Sequence, residues 1–334
     1  MMNLREFRRW NDYSTVGISF VANTLILLLA LTERNATLRS YSKMIVLSCV
    51  LDYFFCFVSI STVIDAIVQD HVFLTISDGI FRFLPLTYHY FFTGIHIFAV
   101  GLMTVTVPID YLYRYVLIVR KRELSIAELI SAISFCCLIV FASTFLFVYA
   151  FVQEEKDLDQ YGHLLAGDGM WLEADGQPAR FIATDCTNPF FLLALFISAT
   201  VATAAYVLVV FLGVSIYREL TSMRAIASRK TLRLQRSMSI VLIIKAVFPF
   251  LCSTLPVFFL IFSVSLGLNI PNLGLFLVIV NSWIPVISPL STLLLLSGYR
   301  RRLLNGFRHS SVAQQIGKTY RSSQPSIMMN SKTN

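Results

Sequence analysis

A chain of 334 residues that is 56% hydrophobic and 14% charged, with mean hydropathy +0.71, is excluded from the ordinary soluble domains. Its net charge of +8 is not a nucleic-acid footprint, because the basic residues sit in short gaps between apolar runs. The composition leaves one membrane-embedded domain followed by a polar tail.

Seven apolar runs follow in chain order: Tyr13–Leu31, Ser42–Ile67, Leu86–Val119, Ile126–Val152, Asn188–Ile216, Ser237–Leu266 and Leu273–Leu296. Each reaches the roughly 20 residues that cross a hydrocarbon core as a helix. Lipid offers backbone polar groups no partners, and the runs lack the strict alternation of barrel strands, so helices are expected. The expected fold is an all-α membrane protein, a seven-transmembrane helix bundle. Residues 1–12 form a short extracellular N-terminus, 13–296 the bundle, and 297–334 a cytoplasmic tail.

The orientation rests on alternate gaps. Arg34, Arg39 and Lys43 follow run one; Arg120, Lys121 and Arg122 follow run three; six basic residues between Arg218 and Arg236 follow run five. Arg300, Arg301 and Arg302 open the tail. By the positive-inside rule these segments are cytoplasmic and the N-terminus is outside. Arg5, Arg8 and Arg9 oppose that assignment from the outer end of run one. No small-residue cleavage site follows run one, which therefore reads as an uncleaved anchor. The sequon Asn35-Ala36-Thr37 falls in a cytoplasmic gap and is expected to stay unmodified.

Run two carries two acids, Asp52 at mid-membrane and Asp65 further out. In run three, His89 and His96 lie seven apart on one face, which is half a metal site, so no metal is expected. His96 reads instead as a polar group in an aromatic ligand cavity with Tyr88, Phe92, Phe190 and Trp283; the alternative for such a stripe is simple packing. Run three ends with Asp110 and Arg114, four apart on one face and able to pair. The pair reads as a switch whose opening frees Arg114, beside Tyr115, for a cytoplasmic partner; the alternative is an interfacial anchor.

The connection Gln153–Thr187 is acidic and rich in turn signals. It reads as a solvated, partly disordered loop, with a lid over the outer entrance as the alternative. Of six cysteines, only Cys186 lies in an external loop, and none stands near the outer start of run three. Tyr217–Arg236 is expected to extend runs five and six beyond the bilayer. Lys245 is the only lysine deep within a run, with Asp52 or Asp110 as its expected counter-ion. A retinal Schiff base is disfavoured, because run seven has no lysine. Pro249 and Pro256 in run six and Pro285 and Pro289 in run seven are expected hinges. Tyr299–Arg308 reads as a short amphipathic helix on the inner surface, followed by a disordered end. No nucleophile elbow, phosphate loop or HExxH pattern is present, so an enzyme is not expected.

Four stretches together resemble the nematode seven-transmembrane chemoreceptors of the Str superfamily (str, srd, srh and sri type). They are Leu38-Arg39-Ser40-Tyr41-Ser42; Ser77-Asp78-Gly79 followed by Tyr88-His89; Tyr113-Arg114-Tyr115; and Leu234-Gln235-Arg236 leading through Pro249 and Pro256 to Pro285, Ser288-Pro289-Leu290 and Tyr299-Arg300. The resemblance implies a G-protein-coupled receptor of the plasma membrane, in cilia of chemosensory neurons. It implies a small-molecule cue, a heterotrimeric G protein and membrane lipid as partners, with no cofactor and no nucleic acid. The sequence departs from the family at Lys245, where Gln is frequent, and in lacking the external Cys near run three. Seven helices alone also suit a ligand-gated channel, a small-solute transporter or a non-signalling decoy.

Overall fold

The computed structural model describes residues 4–33, 36–166, 169–173, 176–223, 229–266 and 273–303. Seven helices within it are long and apolar enough to cross a membrane: Leu4–Leu31, Arg39–Thr62, Leu86–Ile118, Ile126–Gln153, Pro189–Ser222, Leu232–Ser263 and Leu273–Leu295. The tail's amphipathic segment is described to Leu303, within a helical stretch at 297–303; the rest of the tail and Asn35 of the sequon lie outside the described residues.

Helix α1 (Leu4–Leu31) starts before the apolar run, so residues 4–12 continue span one as helix. Its buried face holds Arg5, Arg8, Asp12, Thr15, Ser19 and Asn23 at three- and four-residue spacing, a polar stripe turned into the bundle. Helix α2 (Ala36–Thr62) stops earlier than its apolar run suggests. The chain turns at Val63, which takes a positive φ of 40°, and becomes a hairpin of β1 (Ile64–Gln69) and β2 (Val72–Ser77). Asp65, expected on the outer part of span two, therefore lies on a strand. The β-branched residues of both strands favour the extended form. Asp70 and His71, at φ 48° and 62°, make the two-residue turn with positive φ that matches strand twist.

Helix α3 (Leu86–Ile118) crosses next, then α4 (Ile126–Gln153), opened by a reciprocal cap between Ser125 and Glu128. The connection after α4 is a folded cap, not a solvated loop. It forms α5 (Leu158–Ala166) and β3 (Phe181–Asp185), and β3 adds antiparallel to β2, with Leu74 opposite Ala183. One face of β2 buries Val72, Leu74 and Ile76 against Leu158, Leu165 and Trp171. From the other face Phe73 reaches the bundle, its ring 6.0 Å from Phe151 and 5.3 Å from Phe191. Backbone pairing thus ties the long connection to the segment leading into span three, the job a disulfide to span three would do. Cys186 is a free, buried thiol whose N–H donates to the His71 carbonyl at 2.7 Å. Two glycines allow the sheet to sit this close: a Cβ on Gly79 would lie 2.3 Å from the Ser61 carbonyl oxygen, and one on Gly274 2.2 Å from that of Ala66.

Helix α6 (Pro189–Ser222) begins with Asn188, whose Oδ1 accepts from the Phe190 N–H at 2.9 Å, and carries Pro189 in its first turn. The sixth span is α7 (Arg229–Pro249), a π-turn at Phe250–Thr254 and α8 (Leu255–Ser265). The seventh is α9 (Leu273–Asn281), a break at Ser282-Trp283 and α10 (Ile284–Leu295). The sheet and the start of α1 share one end of the bundle, the cap end. The described parts of the basic gaps and 297–303 share the other, where Arg302 reaches the Leu29 carbonyl and Glu33 at the far end of α1.

Candidate functional site

Three of the four expected hinge prolines adjoin irregular helix, Pro249 and Pro256 flanking the π-turn and Pro285 following the break, while Pro289 lies within α10. Pro249 lacks an N–H and precedes the π-turn, while Pro285 sits in the first turn of α10, just after the break. Side chains of α1 reach this region, where the Pro285 carbonyl has no helical donor because Pro289 lacks an N–H. Ser19 Oγ donates to the Pro285 carbonyl at 2.8 Å, and Asn11 Nδ2 donates to Ser282 Oγ at 2.7 Å. Trp283 Nε1 donates to Asn11 Oδ1 at 3.1 Å, which explains its place better than a ligand pocket does.

In the middle of the bundle, a small cavity of about 50 Å³ is lined by Asp52, Asp110, Lys245 and Ser48 with apolar neighbours and Pro249. Lys245 Nζ lies 3.7 Å from Asp110 Oδ2 and donates to Ser48 Oγ at 3.2 Å. One ammonium thus ties spans two, three and six together immediately below the π-turn. Of the two expected counter-ions, Asp110 makes the ion pair.

Arg114 is not paired with Asp110. Its Nη2 donates to the Gln235 carbonyl at 2.7 Å and to Ser239 Oγ at 2.8 Å, both on α7, and its guanidinium lies 5.8 Å from the Tyr41 ring centre. The physical reason is competition. Lys245 claims Asp110, and α7 offers Arg114 two oxygens in the opposite direction. Tyr115 is half-buried beside Arg120, 5.8 Å from its ring. Nearby, Tyr113 donates to the Ser40 carbonyl, and Glu123 accepts from Ser40 and from Lys43, at 3.1 Å for the latter. Hydrogen bonds from Lys43 and Ser40, with the Lys43 charge, hold Glu123 below the usual carboxylate range.

At the cap end, the three arginines that opposed the orientation are matched by acids. Arg5 makes a two-pronged contact with Asp78, at 2.9 and 2.8 Å, and reaches Glu173 of the cap at 2.9 Å. Arg9 also pairs with Asp78. Arg8 pairs with Asp12 and lies 3.2 Å from Asp65. Burial disfavours the Asp78 carboxylate, but hydrogen bonds and charge from Arg5 and Arg9 outweigh it and hold this acid below its ordinary range. Asp65 moves the other way. Burial, which the Arg8 charge offsets only in part, pushes it up to about 7. Burial and the neighbouring Asp185 charge push the Cys186 thiol up to about 12, so it stays protonated at neutral pH.

The five residues expected to line one aromatic cavity are dispersed. Tyr88 is exposed; Phe92 stacks on Phe81 at 3.7 Å; Phe190 meets Tyr149 edge-on at 4.9 Å. His96 Nδ1 is hydrogen-bonded to Thr62 Oγ1 at 3.1 Å, and His89 Nε2 donates to the Leu84 carbonyl at 3.2 Å. A larger cavity of about 190 Å³ lies instead between spans three, four, five and six, in their cap-end halves. Its walls are mostly apolar, Phe147 and Phe258 included, with the hydroxyls of Ser143, Thr144 and Ser198 among them. Residues missed at the sequence level are therefore Asp78, the α1 stripe, Gln235 with Ser239, and these hydroxyls. The stripe's three- and four-residue spacing was visible; the partners of the others depend on which spans adjoin.

This arrangement, seven spans with a capped end, a π-turned sixth helix and a broken seventh, defines a serpentine membrane receptor fold. The crystal structure of squid rhodopsin superposes with a TM-score of 0.57 at 12% identity, covering 92% of this chain and 86% of that one, a likeness of fold alone. The chain belongs to the Str family of serpentine type 7TM GPCR chemoreceptors, whose profile matches residues 9–304. No curated protein matches it.

Proposed function

We propose that this chain is a chemosensory receptor that binds a small-molecule cue from outside and activates a heterotrimeric G protein inside. Family membership supports the receptor class. In this reading the cap end is extracellular and the basic end cytoplasmic. Matched acids remove the objection of Arg5, Arg8 and Arg9 to that orientation. The plasma membrane, in sensory cilia, is the proposed location.

The observation that carries the mechanism is that Arg114 of span three is held by the inner segment of span six. Outward movement of α7 about the π-turn would strip those bonds and present Arg114 and Tyr115 to the G protein. Ligand acts by favouring that state. Co-expression with a G protein and an odorant screen tests this. The expected result is ligand-driven nucleotide exchange that Arg114→Ala suppresses, with ligand binding retained. A channel or transporter is less well supported, because Asp65, His96 and Lys245 are occupied at separate levels and do not line one path.

A further inference from the structure

The cavity between spans three, four, five and six, at about 190 Å³, is larger than the one of about 50 Å³ around Lys245, and its chemistry is selective. Of its described lining residues none is charged, and none is histidine. An ion entering it would lose its hydration shell and gain no opposite charge. Its volume of about 190 Å³ is slightly above that of an engineered apolar cavity of about 150 Å³ that takes benzene. Gly101 shapes one wall: a Cβ there would lie 2.6 Å from Val140 Cγ1, so spans three and four close tightly on that side.

The wall is not uniformly apolar. Ser143 of span four and Ser198 of span five are hydrogen-bonded to each other at 2.7 Å. Next to them Thr144 has a buried hydroxyl with no hydrogen-bond partner. Leaving such a group unmatched is costly. At the opposite wall stand Ser253 and Thr254, members of the π-turn in span six. An occupant therefore touches the one irregular segment of the span that holds Arg114.

We propose that this cavity binds a compact, uncharged, largely apolar molecule of about benzene's size, bearing one hydrogen-bonding group that meets Thr144 and the Ser143–Ser198 pair. The inference deepens the receptor reading and rests on it for any effect on signalling, whereas binding is testable alone. It also moves the site away from the aromatic residues expected on spans three, five and seven, to spans three, four, five and six.

The test uses the full chain in lipid nanodiscs with benzaldehyde, benzyl alcohol, toluene, benzoate and benzylammonium as probes, read by thermal unfolding. Benzaldehyde and benzyl alcohol raise the midpoint, toluene does so less, and the two ions do not. Ala199→Phe, which fills the cavity, abolishes the shift. Thr144→Val, nearly isosteric, weakens benzyl alcohol binding by about three- to tenfold, the loss expected of one hydrogen bond, and leaves toluene unchanged. This second variant carries the test if the first does not fold. No shift with any neutral probe, an equal shift with the ions, or an unaltered response in Thr144→Val overturns the site. Binding without nucleotide exchange keeps the site and sinks the receptor reading. Exchange that Ala199→Phe leaves intact keeps the receptor and sinks the site.

Discussion

Lys245 of span six sits 3.7 Å from Asp110 of span three, while Arg114, one turn along the same helix face, is held by Gln235 and Ser239 of span six. Two separate ties thus join spans three and six where an internal Asp110–Arg114 pair was expected. Both ties lie on the cytoplasmic side of the π-turn in the orientation proposed above. Swinging the inner half of span six breaks both at once, whereas an internal pair would survive the swing.

Lys245→Met is therefore expected to raise ligand-free nucleotide exchange and to lower thermal stability. Removing one partner leaves a carboxylate in a poorly solvated site, at a cost of up to about 3–5 kcal/mol. The exchanged pair, Asp110→Lys with Lys245→Asp, is expected to recover both properties in part. If Lys245→Met lowers stability with ligand-free exchange unchanged, the tie is structural and not a latch.

Arg114→Lys is expected to bind the neutral probes as the wild type does but to support weaker exchange. A lysine ammonium ends one bond short of the Nη2 that donates to both the Gln235 carbonyl and Ser239 Oγ, and it lacks the planar guanidinium face that lies over the Tyr41 ring. Measuring binding and exchange on the same nanodisc sample separates the two effects. A parallel loss of both would assign Arg114 to folding.

Cap stability is expected to peak in mildly acidic solution. Asp78 is held low, so its contribution is present above the unfolded carboxylate range near 3.9 and disappears as pH falls below it. Asp65 is raised to about 7, so its contribution is fully present in acid and disappears as pH climbs through about 7. The groups facing Asp65 are Arg8, Asp12, Asp78 and Arg5, and a single close guanidinium, Arg8, serves two acids there. Asp65→Asn should flatten the alkaline limb and Asp78→Asn the acid limb, read by hydrogen exchange at β2 and β3. An unaltered profile in both variants would remove these acids as its cause.

The spans were legible because lipid permits little besides long apolar helices, and each run located a helix to within a turn or so at most ends. The error at span two is instructive. Ile64–Gln69 is as apolar as the helix before it, so hydropathy had no reason to stop at Thr62. The signals were β-branched residues and the Asp70-His71 turn, both drowned by the run. The acidic connection misled because its charges suggested solvent, whereas its sparse Leu158, Leu165 and Trp171 build a core on β2. The polar contacts were hardest. Which acid meets Lys245, or which oxygen meets Arg114, depends on the neighbouring spans, and no periodicity within one helix contains that.

The strand pairing makes a further prediction about the cap. Because β3 is joined to β2 through backbone bonds, and Cys186 is a free thiol, reducing agents should leave thermal stability unchanged. Cys186→Ala should be nearly neutral too, costing little beyond lost packing against Ala150 and Phe191. Ala183→Pro is different. Proline at the residue opposite Leu74 forces its ring into a fully buried ladder position, removes any N–H it offers and disturbs the core around Leu165 and Trp171. Loss of one buried ladder bond is worth about 1–3 kcal/mol. The expected readout is faster proteolysis within residues 153–187, with the seven spans still protected. A cap released by dithiothreitol, or one indifferent to Ala183→Pro, would show that something other than this sheet holds it down.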